Sequence, residues 1–149
     1  MASTITNLAK DTKTAAVLGY FAAGTTTRTS SVIDMANFDG VMFVFHLGTV
    51  TDGSIILMTI KGNTADSVSS PSPVAITGGT SGVTASTSSN TLLIVDIYRP
   101  QYRYLFASVT ITTQNCEIVG ITSHQYGARV MPVTQHATVV VVPTFITGV

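Results

Sequence analysis

Residue types that commonly carry enzyme chemistry are few and widely spaced in this chain. The three histidines, His46, His124 and His136, lack the close spacing of a zinc-binding motif. A histidine within or beside an apolar strand is more typical of a hydrogen-bonded structural residue. Glu117 is the only glutamate, and five of the six aspartates are dispersed beyond position 30: Asp34, Asp39, Asp52, Asp66 and Asp96. Only the fold could therefore bring two carboxylates together as a glycosidase-type pair.

Nucleophilic catalysis has equally weak support in the sequence. No Gly-x-Ser-x-Gly elbow occurs, and the strand–turn–helix context of that motif is missing. Cys116 is the only cysteine, which excludes an intramolecular disulfide and a thiolate metal cluster. Cys116 and His124 form a conceivable dyad, but a cysteine that begins a strand is more often a small buried apolar residue. We therefore predict no catalytic, metal or cofactor-binding residues, and a protein that is not an enzyme.

The densest group of interaction-prone side chains is the run Tyr98–Tyr104, where tyrosines are interleaved with arginines. Three interpretations are open. The run is a hairpin with packed tyrosines and solvated arginines, a protein interface, or a carbohydrate or nucleic-acid site built on stacking. The interface candidates lie in this run, at one later arginine and in the apolar C-terminal segment: Tyr98, Arg99, Tyr102, Arg103, Tyr104, Arg129, Val139, Val141 and Phe145.

Charge and hydropathy exclude several classes of protein. The chain has 149 residues, seven basic and seven acidic, so its formal net charge is zero and only 9% of its residues are charged. Mean hydropathy is +0.44, yet 25 Thr and 14 Ser interrupt the apolar residues, and no run reaches the length of a membrane-spanning helix. Residues 1–13 show no secretory signal. With zero net charge, the chain lacks the excess of basic residues that nucleic-acid-binding proteins usually carry. Its hydrophobicity argues against intrinsic disorder. A surface this poor in charge predicts a protein that works within an assembly.

Apolar runs of strand length recur along the chain, and no run predicts a long helix. Asp52-Gly53 lies between the first two runs and predicts a hairpin. Alternation within the fifth run places Val119 and Ile121 on one face and Ile118 on the other. The short segment Thr14–Ala23 could be strand or helical turn. The runs that predict strands are Val41–Leu47, Ser54–Lys61, Thr91–Tyr98, Tyr102–Ile111, Cys116–Tyr126 and Thr138–Val142.

Strands this apolar must bury both faces, which predicts an all-β fold with two packed antiparallel sheets. We expect a jelly-roll-like β-sandwich, with an immunoglobulin-like sandwich or a partial barrel as alternatives. The predicted organisation is a polar N-terminal arm over 1–13, one domain over 14–142 and a tail over 143–149. Within the domain, Gly62–Asn90 is a long excursion rich in Gly, Ser, Thr and Pro that contains an edge strand. The valine run Thr138–Val142 is either a central strand or an arm that completes a neighbour's sheet.

Three segments resemble small structural proteins of tailed bacteriophages. Ser30–Ser54 contains, in order, a hydroxyl-rich segment, a hydrophobic-Asp pair, Phe-Asp, an apolar strand and a Gly…Asp-Gly hairpin signal. The other two are IYRPQYRYLFASVT and GITSHQYGARVMPVTQHATV, in which an arginine- and aromatic-led strand, a turn, a final strand and Tyr-Gly-x-Arg-x-x-Pro follow one another.

The resemblance implies a capsid decoration (cement) protein on the outer surface of an icosahedral phage head. The implied partners are the major capsid protein and the chain itself, as a homodimer or homotrimer, with no nucleic acid and no membrane. Its location would be the virion surface, after assembly in the host cytoplasm. We expect the N-terminal segment, Gly62–Asn90 and the C-terminal tail to make the intersubunit or capsid contacts. A carbohydrate- or receptor-binding module of a phage tail or fibre is the alternative function.

Overall fold

The computed structural model describes residues 8–84, 89–130 and 133–139, with the backbone alone over 80–84. One short helix, α1 (Leu8–Asp11), precedes a series of antiparallel strands, which confirms the predicted all-β class. The strands are β1 (Lys13–Leu18), β2 (Phe21–Gly24), β3 (Arg28–Thr29), β4 (Ile33–Asp34), β5 (Gly40–Val50), β6 (Ile55–Asn63), β7 (Val74–Thr84), β8 (Leu92–Tyr98), β9 (Tyr104–Thr112) and β10 (Cys116–Tyr126). No helix of the described residues is long and apolar enough to cross a membrane.

The strands form two five-stranded sheets with the connectivity of a jelly roll. The first sheet has the order β1-β10-β5-β8, with β2 continuing the β1 edge, and the second has the order β3-β9-β6-β7, with β4 continuing the β3 edge. If β1 with β2 and β3 with β4 each count as one position, the orders become 1-8-3-6 and 2-7-4-5. These two orders define the double Greek key of a jelly roll.

The core lies between the inner faces of the two sheets. Period-two alternation sends one row of apolar side chains from each strand inward. Phe43 and Phe45 of β5 are 0% exposed, as are Ile56 and Met58 of β6. These strands lie in different sheets, so their buried side chains meet face to face across the sandwich.

The predicted hairpin at Asp52-Gly53 is wrong, although the turn is present. Gly53 has φ +80°, and Ser54 N–H donates to the Thr51 carbonyl at 3.0 Å. The turn nevertheless joins β5 of the first sheet to β6 of the second. A local turn signal reports a chain reversal but not the partner of each strand, and β5 pairs instead with β8 and β10.

The hairpin interpretation of the Tyr98–Tyr104 run is wrong for the same reason. The run connects β8, at an edge of the first sheet, to β9 in the second sheet. Its residues therefore lie at one end of the sandwich, where the chain crosses between the sheets.

The strands settle one open alternative and correct one expectation. Thr14–Ala23 forms most of β1 and β2, both paired with β10, and contributes no helical turn. Within β10, register shifts fall between Cys116 and Ile118 and between Ile118 and Gly120. This irregularity makes Val119 50% exposed while Ile121 is fully buried. The two residues do not share a face, because a bulge changes the alternation of the strand.

The long excursion and the valine run have different outcomes. Gly62–Asn90 contains an edge strand, as predicted, and this strand is the 11-residue β7. In the predicted strand Thr138–Val142, the described residues form a turn, in which Val139 N–H donates to the His136 carbonyl at 2.9 Å. Residues 140–142 lie outside the described residues.

Candidate interaction surface

Three arginines far apart in the sequence converge at one end of the sandwich. Arg99 and Arg103 lie in the connection from β8 to β9, and Arg129 follows β10. Together with the loop Met35–Asp39 and the segment Pro100–Tyr102, they line a cleft of about 480 Å³. We call this the arginine cleft. It forms because β5 begins, and β8 and β10 end, at the same end of the first sheet. There Gly40 is paired with both Tyr98 and Tyr126.

Arg103 is held in a bidentate pair with Asp34 at the end of β4. Arg103 Nε donates to Asp34 Oδ1 at 2.8 Å, and Nη2 donates to Oδ2 at 2.7 Å. The Arg103 guanidinium holds the pKa of the Asp34 carboxyl below its usual range, and Ala36 N–H adds to this effect. The two side chains are 58% and 43% exposed. An ion pair this exposed adds little to stability, so its main effect is to orient the guanidinium plane.

Arg129 is positioned by backbone contacts more than by its ion pair. Its N–H donates to the Asn37 carbonyl at 2.9 Å, whereas its Nη2 reaches Asp39 Oδ1 at 3.3 Å. Gly127, two residues earlier, has φ +66°, and a Cβ added there would lie 2.7 Å from Asp39 Cβ. Glycine is therefore required at this position both by conformation and by space.

Arg99 has no carboxylate partner among the residues that the structure describes. Its guanidinium lies over the Tyr98 ring, 5.0 Å from the centroid, and its backbone N–H donates to the Asp39 carbonyl at 2.7 Å. Arg99 adopts φ +50°, which turns the chain out of β8. The strand end thus fixes the backbone of Arg99 and leaves its cation available to an external anion.

The tyrosines of the run occupy unlike environments. Tyr98 is 61% exposed, whereas Tyr102 is half-buried and packs against the core. The Tyr102 ring occupies the space that a side chain at position 62 would need, which Gly62 leaves open. Tyr104 is half-buried, with Arg103 5.1 Å from its ring centroid. These three rings therefore do not present one continuous stacking platform.

The structure thus brings together part of the predicted interface. Arg99, Tyr102, Arg103 and Arg129 line the arginine cleft, and Tyr98 and Tyr104 flank it. Val139 lies elsewhere. It lines an apolar cleft of about 710 Å³ on the outer face of the first sheet, with Met42, His124 and Tyr126 among its neighbours. The predicted interface residues Val141 and Phe145 lie outside the described residues.

Sequence reasoning missed the acidic partners of the cleft. In the sequence, Asp34 and Asp39 stand only among the dispersed aspartates. Nothing in the sequence marks them as partners of arginines 69 and 90 positions away.

The residues considered for catalysis do not converge in the described part of the chain. Cys116 and His124 lie eight positions apart on β10, which places them about 26 Å from each other. Burial raises the pKa of the Cys116 thiol to about 11, so it is not a thiolate. The described residues contain no group of three or more His, Cys, Asp or Glu that could hold a metal ion. That the protein is not an enzyme stays a prediction.

The potential acid–base groups have local hydrogen-bonding partners. Glu117 accepts hydrogen bonds from the Tyr20 hydroxyl at 2.7 Å and from Thr49 N–H at 3.1 Å, and these bonds lower its pKa. His124 lies within 3.1 Å of the Thr14 hydroxyl, and burial lowers its pKa. Glu117 thus links β10 to β5, and His124 links β10 to β1, as the interpretation of His124 as a hydrogen-bonded structural residue predicts.

Comparison with known proteins shows the fold alone. No family model and no curated protein matches the sequence. Among solved structures, the chain is similar to the crystal structure of PBSX exported protein XepA, with a TM-score of 0.54 and 13% sequence identity. The alignment covers 99% of this chain and 47% of that chain, so the chain spans about half the length of that protein.

Proposed function

We propose that this protein is a phage virion structural protein that decorates the outer surface of the capsid. The arginine cleft carries the proposal. In a chain with only 9% charged residues, three of the four arginines gather at one end of a β-sandwich. The similar solved structure is a phage PBSX exported protein, which supports a phage-related role. The sequence resemblance to tailed-phage structural proteins supports the finer assignment.

In this proposal, the arginine cleft contacts an acidic patch of the major capsid protein. Arg99 is the cation available for a new carboxylate, because its only described side-chain contact is the Tyr98 ring. Arg103 and Arg129 lie on either side, each oriented by an aspartate that balances its charge, so Arg99 supplies the net positive charge of the cleft. Guanidinium–carboxylate bonds are charge-assisted and directional, so a small cluster suffices for a specific contact.

Decoration stabilises the shell through mass action. A ligand that binds the mature shell and not its disassembled subunits lowers the free energy of the shell by RT ln(1 + [L]/Kd) per site. The low charge of the remaining surface suits close packing beside the capsid, since few charged groups would lose water on contact.

The alternative function, a carbohydrate- or receptor-binding module, has one favourable observation. A cleft of about 400 Å³ lies between β7 and the chain crossing, with exposed Tyr98 among its lining residues. The platform that this function needs is incomplete, however, because Tyr102 packs against the core. A glycan array with wild type and Tyr98→Ala separates the two functions, since glycan binding that Tyr98→Ala abolishes would favour the alternative.

The decisive experiment measures binding to phage heads assembled without this protein. Purified protein is added to such heads, and occupancy is measured by co-sedimentation and by imaging of the particles. We expect saturable binding to the outer surface that weakens with added salt, since charge contacts are screened. Arg99→Ala should weaken it about tenfold, the effect of losing about 1.4 kcal/mol.

Arg28→Ala is the matched control, because it removes the same type of side chain from β3, which does not line the cleft. We expect it to bind like wild type. No binding to heads, or equal losses for Arg99→Ala and Arg28→Ala, would contradict the assignment of the arginine cleft as the capsid contact.

A further inference from the structure

Sheet edges are sites where two proteins can join by strand addition. An edge strand presents N–H and C=O groups that lack a partner, and proteins protect such edges with caps, short strands or bulges. The jelly roll has four edges, formed by β1 with β2 and by β8 in the first sheet, and by β3 with β4 and by β7 in the second. Three of these four edges are protected within the described residues.

The β1 edge is capped by side chains of the segment after β10. Thr14 N–H donates to Gln135 Oε1 at 3.0 Å, and Ala16 N–H donates to Thr138 Oγ1 at 3.1 Å. Gln135 is itself fixed, because its amide donates to the carbonyls of Ala9 and Thr12 at 2.8 and 2.7 Å. The outward N–H groups of Thr14 and Ala16 are therefore occupied from within the chain, and β2, which continues this edge, has only four residues.

The second sheet protects its edges by geometry. On one side, β3 and β4 have two residues each, too few to template a partner strand. On the other side, the pairing of β6 with β7 shifts register between Thr59 and Lys61, and Gly78 within β7 adopts φ +78°. An irregular edge of this kind pairs poorly with a straight strand.

Strand β8 has none of these protections. It is seven residues long, Leu-Leu-Ile-Val-Asp-Ile-Tyr, without lysine or proline, and in the described part of the chain it pairs with β5 alone. Its single charge, Asp96, accepts a hydrogen bond from the Tyr126 hydroxyl at 2.7 Å. This edge is thus the one that the described structure leaves open.

The backbone geometry shows which groups of β8 are available. Leu47 N–H donates to the Thr91 carbonyl at 3.0 Å, and Arg99 N–H donates to the Asp39 carbonyl at 2.7 Å. Ladder bonds to one neighbour alternate along an antiparallel strand, so the odd-numbered residues bond to β5. The even-numbered residues direct their N–H and C=O groups to the open edge, and two of them carry half-exposed apolar side chains, Leu92 at 52% and Ile94 at 50%.

We propose that β8 pairs antiparallel with β8 of a second copy of this chain, across a two-fold axis, to join two first sheets into one continuous sheet. A second copy fits because it offers the same free backbone groups and the same apolar pair, so the contact is self-complementary. Zero net charge removes long-range repulsion between copies. With one open edge per described chain, edge-to-edge association closes at two copies.

This inference does not rest on the proposed function, since it concerns purified protein without phage. Light scattering after size exclusion should give a mass of about 31 kDa, twice 15.6 kDa. Hydrogen exchange should show protected amides at Leu92, Ile94 and Asp96, which a lone chain would expose. Ile94→Lys should give the monomer mass, because it places charges beside each other at the two-fold contact.

Leu57→Lys is the matched control, because Leu57 is 42% exposed on β6, away from this edge, and this variant should remain a dimer. If Ile94→Lys fails to fold, exchange on the wild type decides. A wild-type monomer or trimer, or free exchange at those three amides, overturns the proposal. A chain ending at Val139 that becomes monomeric also overturns it, and identifies the C-terminal segment as the occupant of the edge.

Discussion

Substitutions at Val119 and Ile121 test the bulge in β10, since simple alternation makes the two residues equivalent. The Ile121 side chain is fully buried and is paired on β5 with Phe45, whereas Val119 is 50% exposed. Ile121→Ala removes three buried carbons, worth about 2.4 kcal/mol at ~0.8 kcal/mol each, and leaves a cavity that brings the loss to about 3–4 kcal/mol. Val119→Ala removes two half-exposed carbons, worth about 0.8 kcal/mol.

The assay is equilibrium unfolding in urea, followed by circular dichroism, for wild type and both variants. The expected difference of more than 2 kcal/mol between the variants corresponds to several degrees in Tm for a domain of this size, at about 2–4 °C per kcal/mol. The slope of free energy against urea should be the same for all three proteins. Equal losses for Val119→Ala and Ile121→Ala would refute the bulge and restore simple alternation along β10.

Three further predictions concern the cleft, the thiol and pH. Gly127→Ala should cost about 1–3 kcal/mol in thermal unfolding, because a left-handed residue gains a Cβ against Asp39; an unchanged Tm would contradict the geometry. Cys116 should react with a thiol reagent at pH 8 only after denaturation, since burial raises the pKa of its thiol to about 11. The contribution of the neutral thiol to stability should be lost as pH rises through that value. Rapid labelling of the native protein would contradict this prediction. Burial lowers the pKa of His124. The contribution of neutral His124 to the free energy of unfolding is therefore present above pH about 6.5 and is lost on acidification. His124→Gln should reduce the fall in Tm between pH 7 and 5.

Much of the fold was predictable because sheet formation follows local hydrophobic pattern. The runs around Phe43, Ile94 and Ile118 are apolar and of strand length, and each forms a strand in the structure. Pairing was not predictable in the same way. The turn at Asp52-Gly53 is real, but whether its strands pair side by side or cross between sheets depends on residues far along the chain, such as those of β10.

The candidate site shows the same division. The clustering of Tyr98, Arg99 and Arg103 was visible because these residues are neighbours in the chain. The pairing of Arg103 with Asp34 and of Arg129 with Asp39 was not visible, since each pair joins segments that meet only at one end of the sandwich.

Composition and hydrophobic pattern were enough to predict a charge-poor all-β protein with an arginine- and tyrosine-rich segment. Composition and period-two alternation are properties of single residues and their near neighbours, so they can be recognised without knowledge of the fold. The strand order of the jelly roll, the bulge that buries Ile121, the gathering of three arginines and the open edge at β8 became visible in the folded chain. Each of these depends on which distant strands pair, and that choice is made by burying both sheets against one core.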